Sequence, residues 1–282
     1  MMKPGSTVAI VGVGLIGGSA GMAVRERLTK VRVIGIGRNR NRLNKALKVG
    51  AVDQITTSWE QGVADADLVI VCTPVGQIVN HVRKLAEFCK PGAVITDAGS
   101  TKQTIVRGLS KGLPTGISFV GSHPMAGSDK SGVQFADAAL FEDRTVVVTP
   151  IAATSDSARK TVKRFWKRIG AKVIELKPAE HDRAVAMISH LPHVVSSVLS
   201  SGANDYQLKL AATGWKDTTR IAAADPDLWL QIFAENKNDV LRCIDSYMKK
   251  LDKFRQALET DNQRIMLRYL ETGKQNRDAL GS

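Results

Sequence analysis

Cysteine is scarce. The chain has three in 282 residues, Cys72, Cys89 and Cys243. They are widely spaced and odd in number, which excludes a disulfide framework, offers no zinc pattern and fits a reducing compartment. No run of about 18 apolar residues is present, so no membrane span is predicted. A block of one charge sign is missing too. Lys and Arg outnumber Asp and Glu by 40 to 27, a net +13, yet the cations are scattered along the chain. Such a balance attracts anions, a phosphorylated cofactor or an acidic substrate among them, while its scatter argues against nucleic acid as partner. The first strand begins near Thr7, which leaves no room for a leader and predicts a cytoplasmic protein. Internal repeats and low-complexity segments are lacking as well. What remains is an ordinary globular composition, 43% apolar, in a chain long enough for two domains.

The N-terminal stretch is the most informative. An apolar strand, 7–11, runs into Gly12-Val13-Gly14-Leu15-Ile16-Gly17 and then into a helix. This is a dinucleotide-binding fingerprint in its required context. Gly12 permits the tight turn, Gly14 lets the backbone approach a pyrophosphate, and Gly17 lets helix and strand pack closely. The amides at the helix start, around Leu15 and Ile16, face the anion. A second strand, 31–36, should end in the acid that binds the ribose 2′-hydroxyl of NAD. Gly37-Arg38-Asn39-Arg40 stands there instead. Arg38 or Arg40 can hold a 2′-phosphate, so NADP is favoured and NAD is the alternative.

Strands and helices then alternate. Strands are expected at 67–72, 93–97, 117–120, 145–149 and 171–176, with helices at 43–49, 59–64, 75–89, 135–140 and 155–169. The predicted fold is α/β: an N-terminal Rossmann-type doubly wound parallel sheet over 1–177, followed by an all-α domain over 178–282. Thr73 and Pro74 close the 67–72 strand at the edge where a cofactor is bound. His81 reads as a surface residue. Strand 117–120 delivers Gly121-Ser122-His123-Pro124-Met125-Ala126-Gly127-Ser128-Asp129-Lys130-Ser131-Gly132. The proline holds His123 extended at the strand end, a stiff presentation that suits a base. Ser100, in the turn Ala98-Gly99-Ser100-Thr101-Lys102, is a helix cap, a site hydroxyl or both. Past Pro178 the pattern is helical, with a kink expected at Pro192 and further helices at 228–247 and 249–271. His190 and His193 share a helix face, but no third ligand accompanies them and no metal site is predicted.

Five motifs carry a family likeness: GVGLIGGS at 12–19, DAGSTK at 97–102, GSHPMAGSDKSG at 121–132, ISHLPH at 188–193 and GWKDTTRIAAADPDLW at 214–229. By these the chain resembles the prephenate/arogenate dehydrogenases of tyrosine biosynthesis over nearly its whole length. The resemblance implies oxidative decarboxylation of prephenate, arogenate or both, small dicarboxylates, with hydride transfer to NAD(P). It implies that His123 removes the proton of the substrate hydroxyl and that Ser100 orients the histidine or the hydroxyl. Arg220 is implied as the carboxylate clamp, with His193 lining the pocket and Ser122 and Lys216 as further substrate contacts. A homodimer through the helical domain is also implied. The alternative is an NADP-dependent 3-hydroxyacid dehydrogenase or imine reductase of the same two-domain plan.

Overall fold

The computed structural model of the chain describes residues 4–127 and 130–281; Ser128 and Asp129 of the histidine-bearing motif lie outside the described residues. Its eight strands are β1 (Thr7–Val11), β2 (Arg32–Ile36), β3 (Gln54–Thr56), β4 (Leu68–Val71), β5 (Val94–Asp97), β6 (Ser118–Pro124), β7 (Thr145–Thr149) and β8 (Lys172–Glu175). They lie in the order β3-β2-β1-β4-β5-β6-β7-β8. β4 is apolar at every position, and β1 at every position after Thr7, because both faces are covered, as central parallel strands require. Period-2 alternation divides their side chains between two cores. Val8, Ile10, Leu68 and Ile70 pack with Val24, Val162, Phe165 and Trp166. Ala9, Val11, Val69 and Val71 pack with Ile78, Val82, Leu85 and Ile105 on the other face.

The sheet is not parallel throughout. β6 changes partners along its length: 118–120 pair parallel with β5, and 121–124 pair antiparallel with β7. β8 then runs parallel to β7. The strand expected to stop at 120 therefore continues through Pro124, and His123 sits within it, opposite Val147. A proline needs no ladder donor at a strand terminus, and the preceding histidine is held extended for the same reason. β3, three residues long, is too short to show alternation and was not predicted.

The helices differ from expectation in several places. The expected helical piece at 135–140 is a 3-10 turn, Val133–Phe135, followed by further turns. This segment folds onto the glycine-rich helix Leu15–Arg27 instead of propagating: Asp137 N donates to Ser19 Oγ at 2.9 Å, and Val133 and Ala136 cover Gly18 so closely that an added Cβ would meet Val133 Cγ2 at 2.8 Å. At Pro192 there is no simple kink. A π-helical turn, Ala186–His190, absorbs the mismatch, and Pro192 falls in the first turn of Leu191–Ser201, where its missing N–H costs little. The C-terminal helices are Pro226–Glu235, Lys237–Glu259 and Gln263–Asp278. The breaks fall at Asn236, which ends the first with a non-helical backbone, and at Asp261-Asn262. There Asp261 has φ +52°, and Asn262 caps the last helix by accepting from Ile265 N at 3.2 Å.

By length and composition alone the continuous helical run 178–201 would pass for a membrane span, but it is not an unbroken apolar run: His181, Asp182, His190 and His193 are buried along it. The chain divides into two compact units, 1–236 and 237–282, so by compactness the division falls later than the change of sequence pattern at Pro178.

Candidate active site

The glycine fingerprint has the form of a pyrophosphate cradle. Gly12 has φ +91°, and a Cβ there would meet Cys72 O at 2.8 Å. A Cβ on Gly17 would collide with Gly12 O. Both glycines are therefore required by the protein's own packing. Gly14 differs: a Cβ there would meet nothing within 4 Å. Its absence leaves room above the turn, at the start of the 13-residue helix Leu15–Arg27, where helix amides favour an anion. These residues fit a dinucleotide. Thr73 and Pro74 follow β4 at the same sheet edge. Thr73 Oγ1 is 2.9 Å from His81 Nδ1, and Trp59 meets the His81 ring edge-on at 5.1 Å. His81 is thus half-buried, not simply a surface residue. Burial, then the nearby charges of Arg38 and Lys84, holds its imidazole below the usual histidine range. Arg38 and Arg40 are exposed past the end of β2, with Asn39 between them capping the helix Arg40–Lys48 through Arg42 N at 3.0 Å.

A buried polar cluster joins β5, β6 and the 178–201 helix. Asp97, at the end of β5, is fully buried and forms an ion pair with the equally buried Lys102. Asp97 also accepts from Gly99 N at 2.9 Å and from Ser122 N at 3.0 Å, which clamps the 97–102 turn to β6. Desolvation lowers the Lys102 pKa, and the charge and hydrogen bond of Asp97 oppose it. Asp182 closes the other side. Its two oxygens accept from Lys102 N at 2.7 Å and Gln103 N at 2.8 Å, groups left over at the start of the helix Gln103–Leu109. Asp182 also lies 2.7 Å from His181 Nδ1, and His181 Nε2 lies 2.8 Å from His123 Nδ1. Asn236 Nδ2 donates to Asp182 O at 2.8 Å and contacts His190 Nδ1 at 3.2 Å. Burial, followed by the electrostatic influence of the neighbouring His181, Lys102 and His190, holds the His123 imidazole well below the usual histidine range, which favours its base form.

The structure treats the other predicted residues unequally. Ser122 is corrected. It is fully buried, donates to Asp97 O at 2.5 Å and accepts from Trp166 Nε1 at 3.0 Å. Adjacent strand residues point to opposite faces, so a strand that presents His123 to one side must turn Ser122 into the core. Ser100 is half-buried in the turn after β5, but the group bonded to His123 Nδ1 is His181. Its helix-cap reading is not realised, since Lys102 occupies the cap position of Gln103–Leu109. His193 stacks flat on Trp229, with centroids 3.6 Å apart and planes 8° apart. Its Nδ1, and Ser196 Oγ on the next turn, are buried without a hydrogen-bond partner among the described residues. Lys216 and Arg220 are exposed. The 3-10 turn Arg220–Ala223 packs on Leu191–Ser201, the helix of His193. The helix Pro226–Glu235, which carries Trp229, packs on the 3-10 turn Val75–Gln77 beside the cofactor edge, with Gly76 N donating to Gln231 Oε1 at 3.4 Å.

Sequence reasoning missed His181, Asp182, His81 and Asn236. The signal for the first two was present. His181, Asp182, His190 and His193 lie on the helical run 178–201 whose apolar residues Val185, Ala186 and Leu191 are buried with them. Ionisable groups on an apolar face are rare without a partner or a task.

Comparison with known proteins covers nearly the whole chain. Residues 20–175 match the family model for the nucleotide-binding domain of prephenate dehydrogenase, and 177–272 match that for its dimerization domain. The prephenate dehydrogenase of Bacillus subtilis is 38% identical over 97% of this chain and 76% of its own length. A cyclohexadienyl dehydrogenase of Zymomonas mobilis is 31% identical over 97% of this chain and 95% of its own. The crystal structure of the Aquifex aeolicus prephenate dehydrogenase, in complex with hydroxyphenyl propionate and NAD+, superposes with a TM-score of 0.91 at 33% identity, covering 98% of both chains. The nucleotide cradle, both family models and near-full-length relatives agree: the chain is a nicotinamide-dependent oxidoreductase and belongs to the prephenate dehydrogenase family.

Proposed function

We propose that this enzyme catalyses the oxidative decarboxylation of prephenate, arogenate or both, with His123 as the base. The observation that carries the reading is the His123 side chain itself. It is fixed through Nδ1 by His181 at 2.8 Å, delivered by β6 and held by burial well below the usual histidine pKa range. A bound nicotinamide supplies the hydride acceptor. His123 takes the proton of the substrate's C4 hydroxyl as hydride leaves C4. The ring carboxylate departs as carbon dioxide, its bonding electrons complete the aromatic ring, and the proton returns to the phenolate oxygen. No net proton is released, so the histidine serves as a temporary holder. A positioned base of this kind contributes about 10²–10⁴-fold in rate.

Arg220 is assigned the substrate carboxylate, which a guanidinium grips with two parallel hydrogen bonds, and Lys216 adds positive field. His193 and Ser196 bring two unpartnered buried polar groups to the same helix, which supports a polar substrate there. Ser100 is placed beside the substrate hydroxyl. The substrate-binding and dimerising part is assigned to 178–282 and the cofactor domain to 1–177, in a homodimer working in the cytoplasm. A 3-hydroxyacid dehydrogenase or imine reductase of this plan would need neither His123 nor a dicarboxylate clamp. Following absorbance at the nicotinamide band with prephenate and arogenate in turn decides the matter. At least one should reduce the cofactor, and Arg220→Gln should raise its KM with a smaller effect on kcat; silence with both substrates sinks the reading.

NADP is assigned as the preferred cofactor. Support comes from the missing acid after β2 and from the cationic edge that Arg38 makes there, close enough to depress the His81 pKa. Arg38→Asp should shift the ratio of kcat/KM toward NAD by roughly tenfold or more, the size of one charge-assisted contact. An unchanged ratio would return Arg38 to the solvated surface.

A further inference from the structure

We infer that His181, held by Asp182, is a positioning residue that fixes the tautomer of His123 so that Nε2 is the proton acceptor. The inference rests on His123 being the base. Asp182 receives a backbone N–H on each oxygen, from Lys102 and Gln103, and is an acceptor. The His181 Nδ1 it faces at 2.7 Å is therefore the hydrogen-bond donor; the facing pair His181 Nε2 and His123 Nδ1 can hold only one hydrogen between them, and with His123 acting as a base through Nε2 it is His181 Nε2 that presents the lone pair. His123 Nδ1, 2.8 Å from that lone pair, must then carry its own hydrogen. The remaining nitrogen, His123 Nε2, is left with a lone pair. A histidine free to choose its tautomer would spend part of its time with that nitrogen already protonated and unable to act.

The chain of bonds is built rather than incidental. His181 and Asp182 are both buried, and Asp182 is anchored at a third point by Asn236 through its backbone carbonyl. When His123 Nε2 takes the substrate proton, the imidazolium keeps its Nδ1–H directed at His181 Nε2. The orientation that accepted the proton is the one that returns it. A merely packed aromatic at 181 would fill the space without imposing a direction on the hydrogen of His123. In a Ser-His-Asp triad a residue that fixes the tautomer in this way is worth about 10⁴-fold, which sets an upper scale for a neutral histidine in the same part.

Two isosteric variants separate this role from simple packing. The Gln side chain places an amide oxygen where His181 Nε2 lies, within reach of His123 but not of Asp182. Asn places its amide where Nδ1 lies, within reach of Asp182 but not of His123. His181→Gln should keep kcat within about tenfold of wild type, and His181→Asn should lower it by about 100-fold or more, on the scale of general-base catalysis. In both, KM and cofactor affinity should stay near wild type. Combining His181→Asn with His123→Asn should slow the enzyme no further than His123→Asn alone, because a residue acting through the base has nothing left to position. Equal kcat values for the Gln and Asn variants, or full additivity in the double variant, would overturn the inference. If His123→Asn itself turned over normally, the base assignment would fail first, so the two failures are distinguishable.

Discussion

His123→Asn lowers kcat by about 10²–10⁴-fold, the contribution of a positioned general base, while the affinity for the oxidised cofactor stays at its wild-type value. The cofactor cradle is made by Gly12, Gly14 and Gly17 and the helix that follows, none of which depends on the imidazole. Asparagine keeps a polar atom near the position of Nδ1, so the partnership with His181 is partly conserved while the accepting nitrogen is lost. The pH profile carries the sign of the effect. The free-enzyme pKa of His123 is held well below the usual histidine value, first by burial and then by the electrostatic influence of the neighbouring His181, Lys102 and His190. The base form is therefore complete at neutral pH. kcat/KM should fall on the acid side only once the pH drops below about 6.5, the ordinary histidine value, and the residual activity of the variant should lack that limb. Binding measured by fluorescence titration and kcat by absorbance separate the two effects. A variant that lost cofactor affinity and kept kcat would place His123 in the cofactor site instead.

The second large effect falls on stability. Lys102→Met should destabilise the unit 1–236 by about 3–5 kcal/mol, because it leaves Asp97 charged and fully buried without its counter-ion. Lys102 and Asp97 are both 0% exposed, so water cannot replace the lost ammonium. Asp97 is also the point where β5, the 97–102 turn and β6 are tied together, through Gly99 N and Ser122 N. The loss is therefore not confined to one contact. For a unit of this size each kcal/mol moves the melting temperature by about 2–4 °C, so a fall of roughly 6–20 °C is expected by calorimetry. A loss below about 1 kcal/mol would show that Asp97 becomes protonated or rehydrated in the variant and that the ion pair is not the clamp. The same substitution should also impair turnover, since loosening the 97–102 turn displaces the backbone amide of residue 102, one of the two that hold Asp182.

The nucleotide half of the site was legible because its chemistry is local. Gly12, Gly14 and Gly17 lie within one strand–turn–helix, and each spacing has a single steric reason. Apolar runs such as 8–11, 68–71 and 146–148 declared their strands because both of their faces are buried. The antiparallel turn of β7 was not legible. It depends on how β6 is shared between two neighbours, which no single stretch records. Ser122 was misread because the motif was taken as a loop, where any hydroxyl can face a ligand. Once the stretch is a strand, alternation sends Ser122 and His123 to opposite sides. The relay behind His123 was hidden by distance, with 58 residues separating the two histidines. What marked His181 and Asp182 was only that they shared a helix with buried apolar residues. The helix breaks at Asn236 and Asp261 went unread because single residues set them: Asn236 leaves the helical backbone with its side chain on Asp182 and His190, and Asp261 takes a positive φ before the Asn262 cap.

The measurement that bears most directly on the central claim counts reduced cofactor and carbon dioxide together, from prephenate and from arogenate, for the wild-type enzyme and His123→Asn side by side. The account predicts that the wild type releases the two products one for one from at least one substrate, and that the variant, with its cofactor bound, releases both at least about 100-fold more slowly. Reduction without carbon dioxide, no reduction with either substrate, or a variant that keeps pace with the wild type would contradict it.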